Sequence, residues 1–243
     1  MRGRFLLSVS GLCLMFLFSV SAPAPAAAFL DAVLDFLGIS ASPSAMRGDG
    51  DGVATGDIWV VNLERGTREA LTTGGDYRWP VVERSGNSLV ALTGDRLVRI
   101  PLTKGAKVEV LYSLPGVVKL VGFDRHNPDR LLVTRDQPES PLAVLSVTSG
   151  KVTPLPYDAD DEDQRRMLAH IRGDERIYAG ARLYVMTEST RGIEGAREWT
   201  DVYIQGGSTQ QQNVSRCDGN DCGQPSLSPD EKAVVYIQSR RQP

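Results

Sequence analysis

The chain begins with a long apolar run and changes afterwards to short alternating runs. Two arginines precede the apolar residues 5–20, and small residues that include Ala26 and Ala28 follow. The apolar run is about 16 residues long, which is shorter than the roughly 20 that cross a bilayer as a helix. This three-part pattern predicts a signal peptide at residues 1–28, cleaved before Phe29, rather than a membrane anchor.

Residues 29–55 are predicted to form a short amphipathic helix and a linker. Apolar residues recur at helical spacing from Phe29 to Leu37, and Gly38 follows as a stop signal. We expect this helix either to pack on the main domain or to dock on a partner protein. Residues 39–55 are rich in serine, glycine and aspartate, which is a composition typical of linkers.

From residue 56 to residue 238 the chain consists of short β-rich runs separated by turn residues. Strand pairs of two types alternate, beginning with 57–63 and 68–72 for the first type and with 80–83 and 88–92 for the second. Later pairs of the first type are 96–102 with 107–112, 141–147 with 151–155 and 201–204 with 212–215; those of the second type are 119–123 with 130–133, 166–171 with 176–179 and 225–227 with 232–237. A four-stranded unit that recurs at about 40 residues is typical of propeller blades.

The sequence therefore predicts an all-β fold, a small β-propeller preceded by a short N-terminal helix. The chain opens on a pair of the first type and closes on a pair of the second, so its two ends are expected to share one blade, which covers strand edges. The repeats favour four blades, and five remain open if 45–55 or 184–199 contributes strands. Residues 239–243 are predicted to be a polar tail.

Two of the repeats resemble the WD-like repeat of TolB-type propellers. One is the run Asp57-Ile58-Trp59-Val60-Val61-Asn62-Leu63 with the residues that follow it, and the other begins at Pro225 and contains the family's Ser-Pro-Asp turn. In that turn Pro229 presets the backbone and Asp230 caps it. The resemblance covers residues 57–237 and implies a propeller rather than an activity. TolB itself has a further N-terminal domain, which 29–55 is too short to form, so the resemblance is to the family and not to TolB itself.

Charge and hydropathy narrow the choice of partner and compartment. The formal net charge of −3 becomes −5 when the signal peptide takes Arg2 and Arg4 with it. A mildly acidic chain without a clustered basic face argues against nucleic acid as a partner. No later segment is long and apolar enough to span a bilayer. We therefore expect a soluble periplasmic or secreted protein without stable membrane insertion.

Two cysteines, Cys217 and Cys222, remain after the signal peptide is removed. In an exported protein a close pair of this kind usually forms a disulfide. Free thiols or a metal site are the alternatives. A metal site needs further ligands, and the histidines of the chain, His126 and His170, lack ligand spacing.

Acidic residues crowd residues 158–163, where they are either a solvated loop or a Ca²⁺ site. A solvated loop is favoured because the spacing and the glycine of a calcium loop are missing. The chain also lacks a nucleophile elbow, a phosphate loop, a zinc motif and a dinucleotide fingerprint. We therefore assign no catalytic, cofactor-binding or metal-ligating residues and expect no cofactor.

Trp79 and Trp199 are candidates for a binding surface, because aromatic residues are enriched in binding hot spots. Both are also natural blade-packing residues, and Trp59 is expected in the core. The predicted function is a non-catalytic scaffold that binds an envelope or periplasmic protein. A propeller-type hydrolase or lactonase with a metal in the central channel is the alternative, and it requires Asp, Glu, Asn or His to converge at one channel mouth. A third hypothesis is that the chain pairs with a neighbouring propeller.

Overall fold

The computed structural model describes residues 32–33, 35–37, 55–105, 107–172, 176–177, 181–192, 195–206 and 211–239. Most of these residues belong to β-strands. The strands are β1 (Asp57–Asn62), β2 (Thr67–Ala70), β3 (Tyr77–Val82), β4 (Ser88–Thr93), β5 (Arg96–Pro101), β6 (Glu109–Ser113), β7 (Val117–Phe123), β8 (Arg130–Arg135), β9 (Leu142–Ser146), β10 (Val152–Pro154), β11 (Arg176–Ile177), β12 (Ala181–Gly192), β13 (Gly195–Gly206), β14 (Gln212–Asn213), β15 (Asp221–Leu227) and β16 (Ala233–Ser239). One helix, α1 (Glu162–Arg172), lies between β10 and β11.

The strands form four sheets of four, arranged as the blades of a propeller. Blade 1 has the order β3-β4-β5-β6, blade 2 the order β7-β8-β9-β10 and blade 3 the order β11-β12-β13-β14. Blade 4 has the order β15-β16-β1-β2, so each end of the chain contributes two strands. In its middle, β1 pairs antiparallel with β16 from Asp57 opposite Gln238 to Asn62 opposite Ala233. The prediction of a four-bladed propeller with a shared closing blade is confirmed.

Three apolar cores join neighbouring blades, because the side chains of a strand alternate between the two faces of its sheet. On β4, Leu89 enters the core between blades 1 and 4, while Val90 enters the core between blades 1 and 2. A third core joins blade 4 to blade 3 and contains Val61, Leu183 and Val202. Because both faces of blade 1 are buried in this way, its strand β4 reads as a continuous apolar run, and Leu89 to Leu92 are all buried.

The predicted Ser-Pro-Asp turn joins β15 to β16. The Ser228 hydroxyl donates to the Asp230 carboxylate at 2.6 Å, and the backbone N–H of Lys232 donates to the same carboxylate oxygen at 3.2 Å. These bonds hold the pKa of Asp230 below its usual range. The Ser228 hydroxyl oxygen also accepts a bond from the Ala233 amide at 2.9 Å, so side chains satisfy the backbone groups that the turn leaves open.

The prediction of a strand at residues 166–171 is wrong, because these residues belong to α1. Met167, Leu168 and Ile171 are the buried residues of this helix, and they lie one, three and four positions apart. This spacing places them on one face of a helix, whereas in a strand adjacent residues would point to opposite faces.

The acidic residues before α1 start the helix. The Asp161 carboxylate oxygen Oδ1 accepts bonds from the backbone N–H groups of Asp163 and Gln164 at 2.9 and 3.2 Å, which is the geometry of an N-cap. Glu162 and Asp163 in the first turn also favour the positive end of the helix dipole. The cluster at 158–163 therefore has a structural role as a helix start.

Helices cover the face of blade 2 that points away from blade 1. The predicted N-terminal helix is helical at residues 32–33 and 35–37, and Val33 packs there with Leu168 of α1 against Leu132 of β8. The carbonyl oxygen of Phe36 accepts a hydrogen bond from the Arg125 amide at 2.8 Å. This segment therefore packs on the propeller, which is the first of the two alternatives that the sequence left open.

Residues 184–199, which the sequence allowed as strands of a fifth blade, belong to the long hairpin of β12 and β13. These strands pair from Ala181 opposite Gly206 to Gly192 opposite Gly195, so they lengthen blade 3 and add no blade. The signal peptide at 1–28, most of the linker and the tail after Ser239 lie outside the described residues. None of the described helices is long and apolar enough to cross a membrane.

Candidate binding groove

At the centre of the ring, the inner strands of blades 1, 2 and 4 bring together Trp79, Lys119 and Gln224. The backbone N–H of Trp79 donates to Oε1 of Gln224 at 2.5 Å, and Nζ of Lys119 lies 3.9 Å from the centroid of the Trp79 ring. Each of these residues is at most 3% exposed. An ammonium group over an indole face is a favourable cation–π arrangement, and the three buried residues pack together where these inner strands meet.

The same local geometry positions Trp79 and Gln224. Each precedes a proline, each has a positive φ (52° and 54°), and each lies where the register of its inner strand shifts. A following proline disfavours the right-handed helical region, and an irregularity in the ladder re-aims a side chain. Two copies of the repeat therefore supply two of the residues that meet in the channel.

The metal-dependent alternative requires Asp, Glu, Asn or His side chains to converge at one channel mouth. The inner strands of blades 1, 2 and 4 bring together an indole, an ammonium and a carboxamide at the point described above. Within the described parts of the chain, no group of three His, Cys, Asp or Glu residues is placed to hold a metal ion. His126 lies instead in the turn after β7, with Nε2 3.5 Å from Asp35, and His170 lies in α1.

A groove of about 360 Å³ lies between the outer strands of blades 3 and 4. We call it the inter-blade groove, and its size is within the range of ligand-binding clefts. It is lined by Val61, Leu63, Gly66, Arg68, Gln212, Asn213, Val214, Arg216 and Asp218. Val61 and Val214 are buried members of the core between the two blades, so the apolar floor of the groove continues that core to the surface.

The blade 3 wall of the groove is held by Asp201, which is 2% exposed. Its Oδ1 accepts bonds from the Ser215 hydroxyl at 2.7 Å and from the Cys217 amide at 2.6 Å. Its Oδ2 accepts bonds from Nδ2 of Asn213 and Nε1 of Trp199, both at 3.0 Å. Burial by itself raises the pKa of Asp201, but these hydrogen bonds outweigh burial and hold the pKa below its usual range.

A disulfide between Cys217 and Cys222 closes the same wall, which confirms the predicted bond. On either side of Cys217, Arg216 and Asp218 have φ values of 44° and 48°. This left-handed region is uncommon for residues other than glycine, and arginine gains no local stabilisation there. The backbone N–H of Arg216 donates to Oδ1 of Asn213 at 2.9 Å, so the groove wall has a fixed conformation.

Arg68 links the two walls from the blade 4 side. Its guanidinium donates hydrogen bonds to the backbone carbonyl oxygens of Ser215 and Arg216, and it lies 5.7 Å from the centroid of the Trp59 ring. Both arginines are exposed, but Arg216, unlike Arg68, makes no ion pair or side-chain hydrogen bond among the described residues.

Trp79 and Trp199, the two tryptophans proposed for a binding surface, are buried and half-buried. Trp79 is buried in the channel, which removes it from the outer surface. Trp199 is half-buried behind the groove wall, where it bonds to Asp201. Trp59 packs against the core between blades 3 and 4, as the sequence predicts.

Arg68 and Arg216, the groove arginines, belong to no motif and are 148 residues apart, so no local pattern indicates them. The predicted sharing of one blade by the two chain ends does point to them, because it implies that β1 and β2 lie beside blade 3.

Together these features define a small four-bladed β-propeller with a groove between two blades. No family model matches the chain, and no curated protein matches it. Among solved structures it is similar to one described as "the structure of putative TolB from Agrobacterium tumefaciens", with 15% identity and a TM-score of 0.36. The similarity covers 78% of this chain and 64% of that chain, so this chain spans less than two thirds of that length.

Proposed function

We propose that this chain is an exported, non-catalytic propeller that binds an envelope or periplasmic protein in the inter-blade groove. The observation that carries the proposal is the construction of the groove, which has an apolar floor, a polar rim and a wall fixed by Asp201 and the disulfide. Concave sites with an apolar floor and a few placed polar groups are typical of binding sites. A fixed wall lowers the cost of ordering the site on binding.

The charged groups of the groove favour binding over chemistry. They are Arg68, Arg216 and Asp218. Arginine stays protonated throughout the physiological range, so it recognises anions and does not exchange protons with a substrate.

The export part of the proposal is supported by the pattern of residues 1–28 and by the disulfide. A bond between Cys217 and Cys222 persists in oxidising compartments such as the periplasm and is rare in the cytosol.

Site-specific photo-crosslinking in intact source cells tests the proposal. A photoreactive residue replaces Gln212, which lines the groove and is exposed, and the matched control replaces Val110, which is 55% exposed on blade 1. We expect adducts with one or a few envelope proteins from position 212 and none of these adducts from position 110. Identical adducts from both positions, or none from position 212, contradict the proposal.

A further inference from the structure

We infer that the inter-blade groove takes an extended acidic peptide, which adds as a further strand to the outer edge of β2. The inference rests on the proposed function, since it specifies the ligand of the same groove. β2 (Thr67–Ala70) is the outermost strand of blade 4 and pairs only with β1 within the described sheet. Gly66 and Arg68 line the groove, so this edge borders it.

The ladder between β1 and β2 shows which backbone groups are available for a new strand. The backbone N–H of Leu71 donates to the carbonyl oxygen of Ile58 at 2.8 Å. Bonding alternates along an antiparallel strand, so Glu69 also bonds to β1, while Arg68 and Ala70 direct their N–H and C=O groups outward. Such a row of outward groups on an edge strand is a template for strand addition.

The charges at the rim favour an acidic segment. Among the residues that line the groove, Arg68 and Arg216 stand against Asp218, an excess of one positive charge at its surface, while the buried carboxylate of Asp201 behind the wall is engaged by four donors. The formal net charge of the chain is −3. An acidic peptide is therefore attracted to this groove and repelled by the chain as a whole. The exposed guanidinium of Arg216 can bind a carboxylate through two parallel hydrogen bonds.

The apolar floor adds a pattern to the predicted ligand. Alternate side chains of an added strand point to the same face. One apolar side chain would therefore approach Leu63, the partly exposed apolar residue of the lining, and a residue two positions away would approach Arg216. The expected ligand has an apolar residue and an Asp or Glu two positions apart, with no proline in the stretch that pairs.

Selection from random heptapeptides displayed on phage tests this inference with the purified, disulfide-bonded protein. Enriched peptides are synthesised, and their dissociation constants are measured by fluorescence anisotropy. We expect the apolar and acidic pattern in the enriched peptides. The substitution Arg216→Asn should weaken their binding about tenfold, since it removes a charged hydrogen-bond donor while asparagine tolerates the left-handed backbone.

Matched controls separate charge from backbone pairing. Arg96→Asn removes an equal charge from an exposed site on blade 1 and should leave binding unchanged. N-methylation of alternate peptide amides should weaken binding about tenfold if the peptide pairs as a strand.

The inference is overturned if no peptide is enriched, if enriched peptides lack acidic residues, or if Arg216→Asn or N-methylation has no effect. Crosslinking at position 212 separates this failure from failure of the proposed function. If position 212 gives a specific adduct but no acidic peptide binds, the groove remains the binding site and the acidic peptide ligand is rejected. Loss of both results rejects both proposals.

Discussion

The backbone N–H of Trp79 donates a hydrogen bond to the side-chain oxygen of Gln224 at 2.5 Å, across 145 residues of chain. This bond joins β3, the inner strand of blade 1, to β15, the inner strand of the blade that both chain ends share. It therefore joins blade 1 to blade 4 at their inner strands, while the pairing of β1 with β16 joins the two ends of the chain within blade 4.

Loss of this acceptor should destabilise the propeller. Gln224→Met keeps the length of the side chain but removes the oxygen that the buried Trp79 amide bonds, so we expect a loss of about 1–3 kcal/mol in the free energy of unfolding. Urea unfolding followed by circular dichroism measures it.

Gln238 on β16 provides a matched control, because its buried Oε1 has no hydrogen-bond partner among the described residues. Gln238→Met should change the free energy of unfolding by less than about 0.5 kcal/mol or should stabilise the protein. Equal losses for both variants would show that the bond to Trp79 contributes nothing particular.

Asp201→Asn should destabilise blade 3 by about 2–3 kcal/mol. Both carboxylate oxygens of Asp201 accept hydrogen bonds, one from the Trp199 indole and the other from the Ser215 hydroxyl. Asparagine keeps only one side-chain oxygen, so its amide N–H would face one of these donors. Urea unfolding at pH 7 measures the loss. Asp218→Asn, at an exposed residue of the same loop, serves as the control and should remain within about 0.5 kcal/mol.

Because the pKa of Asp201 is lowered, the difference in the free energy of unfolding between the wild type and Asp201→Asn also depends on pH. A carboxyl group whose pKa is lower in the folded state stabilises the fold fully above its unfolded pKa of about 3.9. Its contribution is lost as the pH falls through the lower, folded-state value. The gap between the wild type and Asp201→Asn should therefore be constant from about pH 7 to pH 5 and shrink below about pH 4. A gap that is undiminished at low pH would contradict this role.

The disulfide should be stabilising but not essential for folding. The sequence separation of Cys217 and Cys222 is 5, and closure of so short a loop contributes about 2 kcal/mol in the chain-entropy description. The double substitution Cys217→Ser and Cys222→Ser should give a folded protein that loses no more than about 2–3 kcal/mol. Circular dichroism and urea unfolding measure this, and the reduced wild type should behave in the same way. An unfolded double variant would show that blade 4 depends on the bond.

Packing of α1 on blade 2 should contribute to the stability of the whole fold. Leu168→Ala removes a buried side chain from the core that α1 shares with Leu132 and Leu142, so we expect a loss of about 2–4 kcal/mol. Arg165→Ala on the exposed side of the same helix should stay within about 0.5 kcal/mol. Similar effects of the two substitutions in urea unfolding would count against this packing.

Export predicts a defined mature N-terminus. The mass of the protein recovered from the periplasm should correspond to a chain that begins at Phe29. Ala28→Leu should block processing because signal peptidases require small residues at positions 26 and 28, whereas Ala27→Leu should be processed normally. An unprocessed wild-type chain, or equal processing of both variants, would refute the predicted cleavage site.

Local pattern explains which elements the sequence predicts correctly. The strand run at 57–63 and the turn at Ser228 and Asp230 depend on residues close together in the chain, so they are legible without the tertiary fold. The local pattern is ambiguous at α1, because the short apolar run of Met167 and Leu168 fits a strand as well as a helix. The N-cap at Asp161 is the local signal for the helix, but the acidic residues around it give it the composition of a solvated loop.

The repeat and the close cysteine pair are legible in the sequence, because strand periodicity, turn chemistry and cysteine spacing are local properties, and the order of the repeats indicates that the chain ends share a blade. The burial of Trp79 and the contact of Arg68 with the wall formed by Ser215 and Arg216 depend instead on tertiary packing. Blade packing sets these contacts between residues from opposite ends of the chain, through apolar cores that many side chains share. The candidate groove therefore depends on the pairing of the two chain ends within blade 4, and no single segment carries its signal.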